Sequence, residues 1–280
     1  MRTRSRESGI GSGSYPPIIS KKEKNMKNKT AKQIVTGYRI KCVLVVVLYA
    51  IALGVLVYVM NISALIGIVG IVALAMSVRM PFEKLLEKDV ESVIHEELDP
   101  ERYNEILALG VGKNYIHLQS LGAMSAGDHE RVLKLVEEHG KKNIHPVEQC
   151  SDIYRKGFVY FERGDWEKLR GCVREYERLK KNNPKLVHIF ENFTVFDKYD
   201  AFLDEDYEYV VDVCDIDLKE NDPKKLNHKL TRLNVSFYRA VSLYKMGRID
   251  EARAGFEDII AFAPKMHKAK LSKEFLDMMN

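Results

Sequence analysis

Apolar and polar positions divide the chain into four stretches. The sharpest boundaries enclose Cys42 to Val78, CVLVVVLYAIALGVLVYVMNISALIGIVGIVALAMSV, which holds no charged residue and only Asn61, Ser63 and Ser77 as clearly polar side chains. An uncharged run of this length is a membrane signal. As one helix it would reach about 55 Å at ~1.5 Å per residue, against a hydrocarbon core of about 30 Å. Tilt does not absorb nearly half a helix. The pattern therefore predicts a transmembrane hairpin over residues 42–78, reversing at the turn-prone Asn61-Ile62-Ser63. One long tilted helix with a translocated C-terminal body is the alternative. Ala50/Gly54 and Ser63/Gly67 are small residues four apart, a spacing that permits close approach of two membrane helices.

Beyond the run, Met80-Pro81 ends the second pass, because proline lacks an amide donor and restrains its predecessor. Phe82, Leu85, Leu86, Val90, Val93, Ile94 and Leu98 then recur at helical spacing among charged residues. Residues 79–98 thus read as an amphipathic juxtamembrane helix, expected to cap the array that follows. Its polar face is acid-rich, which disfavours anionic lipid. Asp99-Pro100 is a helix start, with Asp as cap and Pro at the first helical position. From there to Asn280 the periods are helical throughout, broken at Gly127-Asp128, Gly164-Asp165 and Gly247-Arg248, with a weaker break at Glu205-Asp206. These breaks imply a repeat of about 37–42 residues, within the range of helical repeats.

Charge sharpens this division. Residues 1–41 carry eleven Lys/Arg against Glu7 and Glu23, a local +9 that leaves −5 for the rest of a chain whose net charge is +4. The arm's first 25 residues are rich in Gly and Ser and include Pro16-Pro17, so the arm is expected to be largely disordered. Basic residues flank the apolar run on both sides: Lys27, Lys29, Lys32, Arg39 and Lys41 before it, and Arg79, Lys84 and Lys88 after it. The positive-inside rule then puts both termini in the cytoplasm, most simply at the cell membrane. A mildly acidic body argues against nucleic acid as its partner.

The segment Asn234–Lys265, NVSFYRAVSLYKMGRIDEARAGFEDIIAFAPK, resembles the tetratricopeptide repeat. Ala240, Gly247, Ala252, Phe256 and Pro264 fall at that motif's small, turn, small, large-aromatic and terminal-proline positions. Gly157, Tyr160, Gly164, Trp166 and Leu169 match more loosely, as do Ser120, Ala123, Gly127, Val132 and Val136; Ala201, Val210 and Cys214 match faintly. Gln119, Lys156, Asp197 and Arg239 depart from it, being polar where the first helix is normally apolar. The resemblance implies an all-α body over 99–280, an α-solenoid of helix pairs whose first helices line a groove for a protein or peptide. The groove positions it implies are Asn114, His117 and Leu121; Tyr154, Phe158 and Phe161; Asn192, Tyr199 and Phe202; and Asn234, Phe237 and Tyr244. Three of the four sets carry Asn at one position, which suits the holding of a peptide backbone, and the rings beside it suit apolar side chains. The competing reading is that the rings pack between helices. The Lys/Asn set with which some relatives clamp a terminal carboxylate is missing.

No other chemistry is announced. The four cysteines, Cys42, Cys150, Cys172 and Cys214, form no CxxC; Cys42 lies at a membrane boundary, and the other three read as buried small hydrophobes in a reducing compartment. The eight histidines show no metal-ligand spacing, and no phosphate-binding glycine loop or nucleophile elbow occurs. The expectation is a non-enzymatic, cofactor-free interaction protein, with the bilayer contacted through residues 42–78. A structural protein whose repeats pack on copies of themselves, a homo-oligomer, is the alternative.

Overall fold

The computed structural model describes residues 29–60, 69–70, 72–73, 86–111, 115–142, 144–220 and 228–280, and every regular element among them is helical. The expected turn at Asn61, the Met80-Pro81 break, the groove residue Asn114 and the start of the juxtamembrane helix lie outside the described residues.

Helix α1 spans Ala31–Met60 and so begins inside the basic arm, well before Cys42. Its two ends differ. Ala31, Ile34 and Val35 are buried in one core with Val90, Val93, Ile94, Tyr103 and Ile106, Ile34 and Val35 being only 3% and 2% exposed. Tyr38 hydrogen-bonds Asp89, and Arg39 Nη2 donates to the Leu109 carbonyl at 2.8 Å. From Ile40 onward the helix stands clear, with Val43, Leu48, Ile51 and Val55 exposed and Tyr58 88% exposed. Ile40 to Met60 covers about 31 Å. Among the described residues α1 is the one helix long and apolar enough to cross a membrane, with a mean hydropathy of 2.0 in its apolar window. Helical residues 69–70 and 72–73 lie beside it, since a Cβ built on Gly70 would sit 3.1 Å from Leu53 Cδ2.

Residues 86–95 are helical and present Val90, Val93 and Ile94 to the core. Leu98 follows in the left-handed region (φ 53), and Asp99 Oδ1 accepts from the Arg102 amide to cap α2 (Pro100–Ala108). Four helix pairs come next: α3 and α4 (Ile116–Ala126, His129–Gly140), α5 and α6 (Pro146–Arg163, Trp166–Asn182), α8 and α9 (Val195–Leu203, Tyr207–Glu220), and α10 and α11 (His228–Lys245, Ile249–Phe262). A 3-10 turn at Pro184–Leu186 and the short α7 (Val187–Phe190) separate the second pair from the third. Helix α12 (His267–Met278) closes the chain.

All four pairs bend through one kind of turn, at Gly127, Gly164, Glu205 and Gly247, each with φ between 62° and 77°. The next residue's amide reaches back to the carbonyl five residues earlier: Asp128 to Ala123, Asp165 to Tyr160, Asp206 to Ala201 and Arg248 to Leu243, at 2.9–3.0 Å. This is the Schellman ending, which needs a residue in the left-handed region and so favours glycine. Asp128, Asp165 and Asp206 then turn their carboxylates onto the amides of Arg131, Lys168 and Tyr209, capping the second helices. The turns are 37, 41 and 42 residues apart, the period expected from the sequence breaks.

Three of the polar departures from the repeat pattern have cross-helix partners. Gln119 Oε1 accepts from Arg131 at 2.7 Å, Lys156 pairs with Glu175 at 2.9 Å and Arg239 with Asp215 at 2.6 Å. Consecutive helices pack against one another along the chain, and α12 packs on α10, on α11 and also on α3. Lys265 pairs with Asp99, and Lys229 Nζ donates to the Glu96 carbonyl at 2.8 Å. The last helices therefore touch the first ones.

Candidate functional site

The first helices of the pairs face inward, and aromatic rings link them. Phe161 meets Tyr199, Phe202 and Tyr238 at ring separations of 5.5, 5.1 and 4.9 Å. The Tyr199 and Tyr238 hydroxyls are 3.1 Å apart, and burial drives both phenols well above their ordinary pKa. Gly157 leaves room for the Tyr199 ring, 3.1 Å from where a Cβ would lie.

Beside this seam is a cavity of about 430 Å³ between residues 91–95, α3, α5, α10 and the start of α12. Five of the groove residues expected from the sequence line it: His117, Leu121, Tyr154, Phe158 and Asn234. The other described ones lie elsewhere. Phe161, Tyr199, Phe202 and Phe237 are buried in ring packing between helices. Tyr244 packs on Phe275 at 5.4 Å. Asn192 is exposed in the turn before α8, where it donates to the His188 carbonyl, so it is not on a first helix and the three asparagines do not share one position.

Part of the inner face is filled by the chain itself. The Lys268 ammonium lies 4.4 Å from the Phe158 ring centroid, 4.7 Å from Phe237 and 5.7 Å from Tyr238, almost wholly buried. A charge buried this deeply requires a partner. Lys268 Nζ donates to Glu162 Oε1 at 2.6 Å, while His129 Nε2 donates to Glu162 Oε2 at 2.8 Å. The Glu162 side chain is 1% exposed. Burial alone would raise its carboxyl, but Lys268 and His129 hold it below its ordinary value. His267 stands 3.9 Å from the same Oε2, and burial lowers its pKa, so the ring is neutral at neutral pH. Its Nε2 is buried without a hydrogen-bond partner, as is His95 Nδ1 on the cavity wall.

Gly127 serves this cluster as well as its turn, because a Cβ there would lie 2.3 Å from His267 Nδ1. Gly127→Ala is therefore expected to cost more than Gly164→Ala. At Gly164 the φ is also positive, yet a Cβ would meet only Trp166, at 3.6 Å. The left-handed penalty of about 1–2 kcal/mol is common to both. The excess in Gly127→Ala, read from the denaturation midpoints of the two variants, measures the displacement of His267; equal losses would contradict that coupling.

Comparison of the chain with family models, curated proteins and solved structures found no match. Sequence reasoning missed Glu162, His129, His267 and Lys268 as a group, since they come from three distant segments and no local spacing joins them. The Gly127-Asp128 break, read as a turn, was the nearest signal.

Proposed function

We propose that this is a membrane-anchored interaction protein. A two-pass hairpin over residues 42–78 holds a body of tetratricopeptide-like helix pairs, an α-solenoid closed by its own C-terminal helix, at the cytoplasmic face of the cell membrane. There the body engages a polypeptide. The observation that carries the reading is the foot of α1. Ala31, Ile34 and Val35, before the apolar run, share a core with Val90, Ile94 and Tyr103, after it. Segments packed in one core occupy one side of a bilayer, so a chain that enters at Ile40 has to return. Gly70 beside Leu53 fits that return, because one continuous helix would separate them by about 25 Å. The basic flanks favour the cytoplasmic side. The partner's surface is the cavity rim, where the exposed His117 and the half-buried Asn234 stand beside the apolar walls of Leu121 and Tyr154. Tethering raises the effective concentration of such a surface toward a membrane-bound partner.

Two experiments test this. Single cysteines at Thr30 and Lys273, in a chain with Cys42 replaced by Ser, should both react with an impermeant maleimide only after permeabilisation. The native core thiols stay silent, because burial pushes Cys150 and Cys214 up to about 12 and Cys172 up to about 11. Reaction of either site in intact cells would overturn the topology. A photocrosslinker at Asn234 should capture a polypeptide that one at Asn192 does not. Equal capture at both would remove the rim as the binding surface.

A further inference from the structure

We propose that His129, Glu162 and His267 bind a zinc-class divalent cation that clamps the C-terminal helix onto α4 and α5. One ligand atom from each of the three side chains lies within 4.8 Å of the others. They come from the first residue of α4, the end of α5 and the first residue of α12, so the site exists only when the chain has closed on itself. The site is largely withdrawn from solvent, with the side chains of His129 at 12% and His267 at 13% exposed beside Glu162 at 1%.

Three features favour a metal over a hydrogen-bond network alone. First, His267 Nε2 is buried without a hydrogen-bond partner and faces Glu162 Oε2 at 3.9 Å, too far for a hydrogen bond. Adjacent ligand atoms around tetrahedral zinc are about 3.3 Å apart when metal–ligand distances are about 2.0–2.1 Å. The 2.8 Å from His129 and the 3.9 Å from His267 bracket that separation. Second, Lys268 holds the other oxygen, Oε1, at 2.6 Å and leaves Oε2 directed at the two rings, an outer contact that orients a ligating carboxylate. Third, His267 also lines the 430 Å³ cavity, which gives an entry path and room for water in a fourth position. Two neutral imidazoles and one carboxylate suit zinc rather than magnesium or calcium. The His129 ring donates from Nε2 and accepts from Arg163 at Nδ1, so binding moves that one proton from Nε2 to Nδ1 by exchange through solvent and releases none. His129 then keeps its proton on Nδ1. Arg163 Nε, 3.3 Å from that nitrogen, moves away while its Nη2 stays on Glu130 at 2.6 Å.

The test uses the full chain, purified in detergent without a histidine tag and stripped with a chelator. Zinc is titrated at pH 7.5, and bound metal is counted. The proposal expects about one zinc per chain. His267→Gln and His129→Gln should each weaken binding at least tenfold, whereas His117→Gln, on the cavity rim, should keep wild-type affinity. Should the variants misfold, cobalt(II) in the unmodified chain gives a second reading through the strong visible absorption of a low-coordinate ion. Chains that retain no zinc after desalting, a His267→Gln chain binding as tightly as wild type, or a cobalt spectrum like that of the aqueous ion would each overturn the site.

Discussion

Replacing Lys268 with Met is expected to lower the stability of the body by about 3–5 kcal/mol, the range for stranding one member of a buried ion pair. Methionine preserves the length of the side chain and its contact with Phe158 and Phe237, so the loss reads charge rather than volume. What remains is Glu162, 1% exposed, with His129 as its nearest hydrogen-bond donor. The fall in melting temperature should be roughly 6–20 °C for a body of this size. Trp166, the single tryptophan, lies 5.2 Å from Phe202 and 5.9 Å from Phe161 and reports the transition by fluorescence. Adding Glu162→Gln to Lys268→Met should restore part of the loss, because the stranded charge is gone; a double variant as unstable as the sum of the singles would show that the pair is not coupled.

The pH dependence of the same variant carries a defined sign. In the wild type the Glu162 carboxyl is held below its ordinary value, so its contribution is present above about pH 4.5 and is lost as pH falls through the lowered value. His267 is also lowered, by burial, so the folded state binds fewer protons there and stability already begins to fall below about pH 6.5. Without Lys268, burial becomes the dominant influence on Glu162 and raises its carboxyl, which then protonates nearer neutrality. The gap between variant and wild type should therefore be widest near pH 7, begin to shrink as pH falls through the variant's raised value, and shrink further below about pH 4.5. A gap independent of pH would show that Lys268 acts through packing alone.

The helix pairs were legible in the sequence because their turns are local chemistry. A left-handed residue followed by a capping Asp writes itself as Gly-Asp at 127 and 164, and even Glu205-Asp206 adopts the same form with a non-glycine at φ 62. The amphipathic stretch ending at Leu98 was equally plain, since Val90, Val93 and Ile94 carry a helical period into the core. The groove was legible only in part. The repeat pattern locates first helices, but it does not say that α12 returns to place Lys268 among their rings. An aromatic at an inward position then reads the same whether it lines a cavity, as Phe158 does, or is sealed in packing, as Tyr199 is. Glu162, between Phe161 and Arg163 near a helix end, has the sequence look of a solvated charge; contacts 33 and 106 residues away, with His129 and Lys268, hold it inside.

The foot of α1 was hidden for the opposite reason, and it supports the second large prediction. AKQIVTGYRIK reads as a basic polar arm, and three apolar side chains are too few to announce a core contact. Yet Ile34 is 3% exposed, against the helix of residues 86–95 and α2. Ile34→Asp would place an unpaired carboxylate there, at a cost of several kcal/mol. The body has its own core in the four pairs, so the response should be release of the foot rather than global unfolding. Hydrogen exchange in the full chain should show the amides of residues 31–39 losing protection by about 100-fold, equivalent to about 2.7 kcal/mol, while those of α5 and α10 keep theirs. Tyr38–Asp89 and Arg39–Leu109 would open with it, and the body would lose its fixed position against the apolar part of α1. Unchanged protection at residues 31–39 would mean that the foot is not held by this core, and the inference that both ends of the apolar run share one side of the bilayer would fall with it.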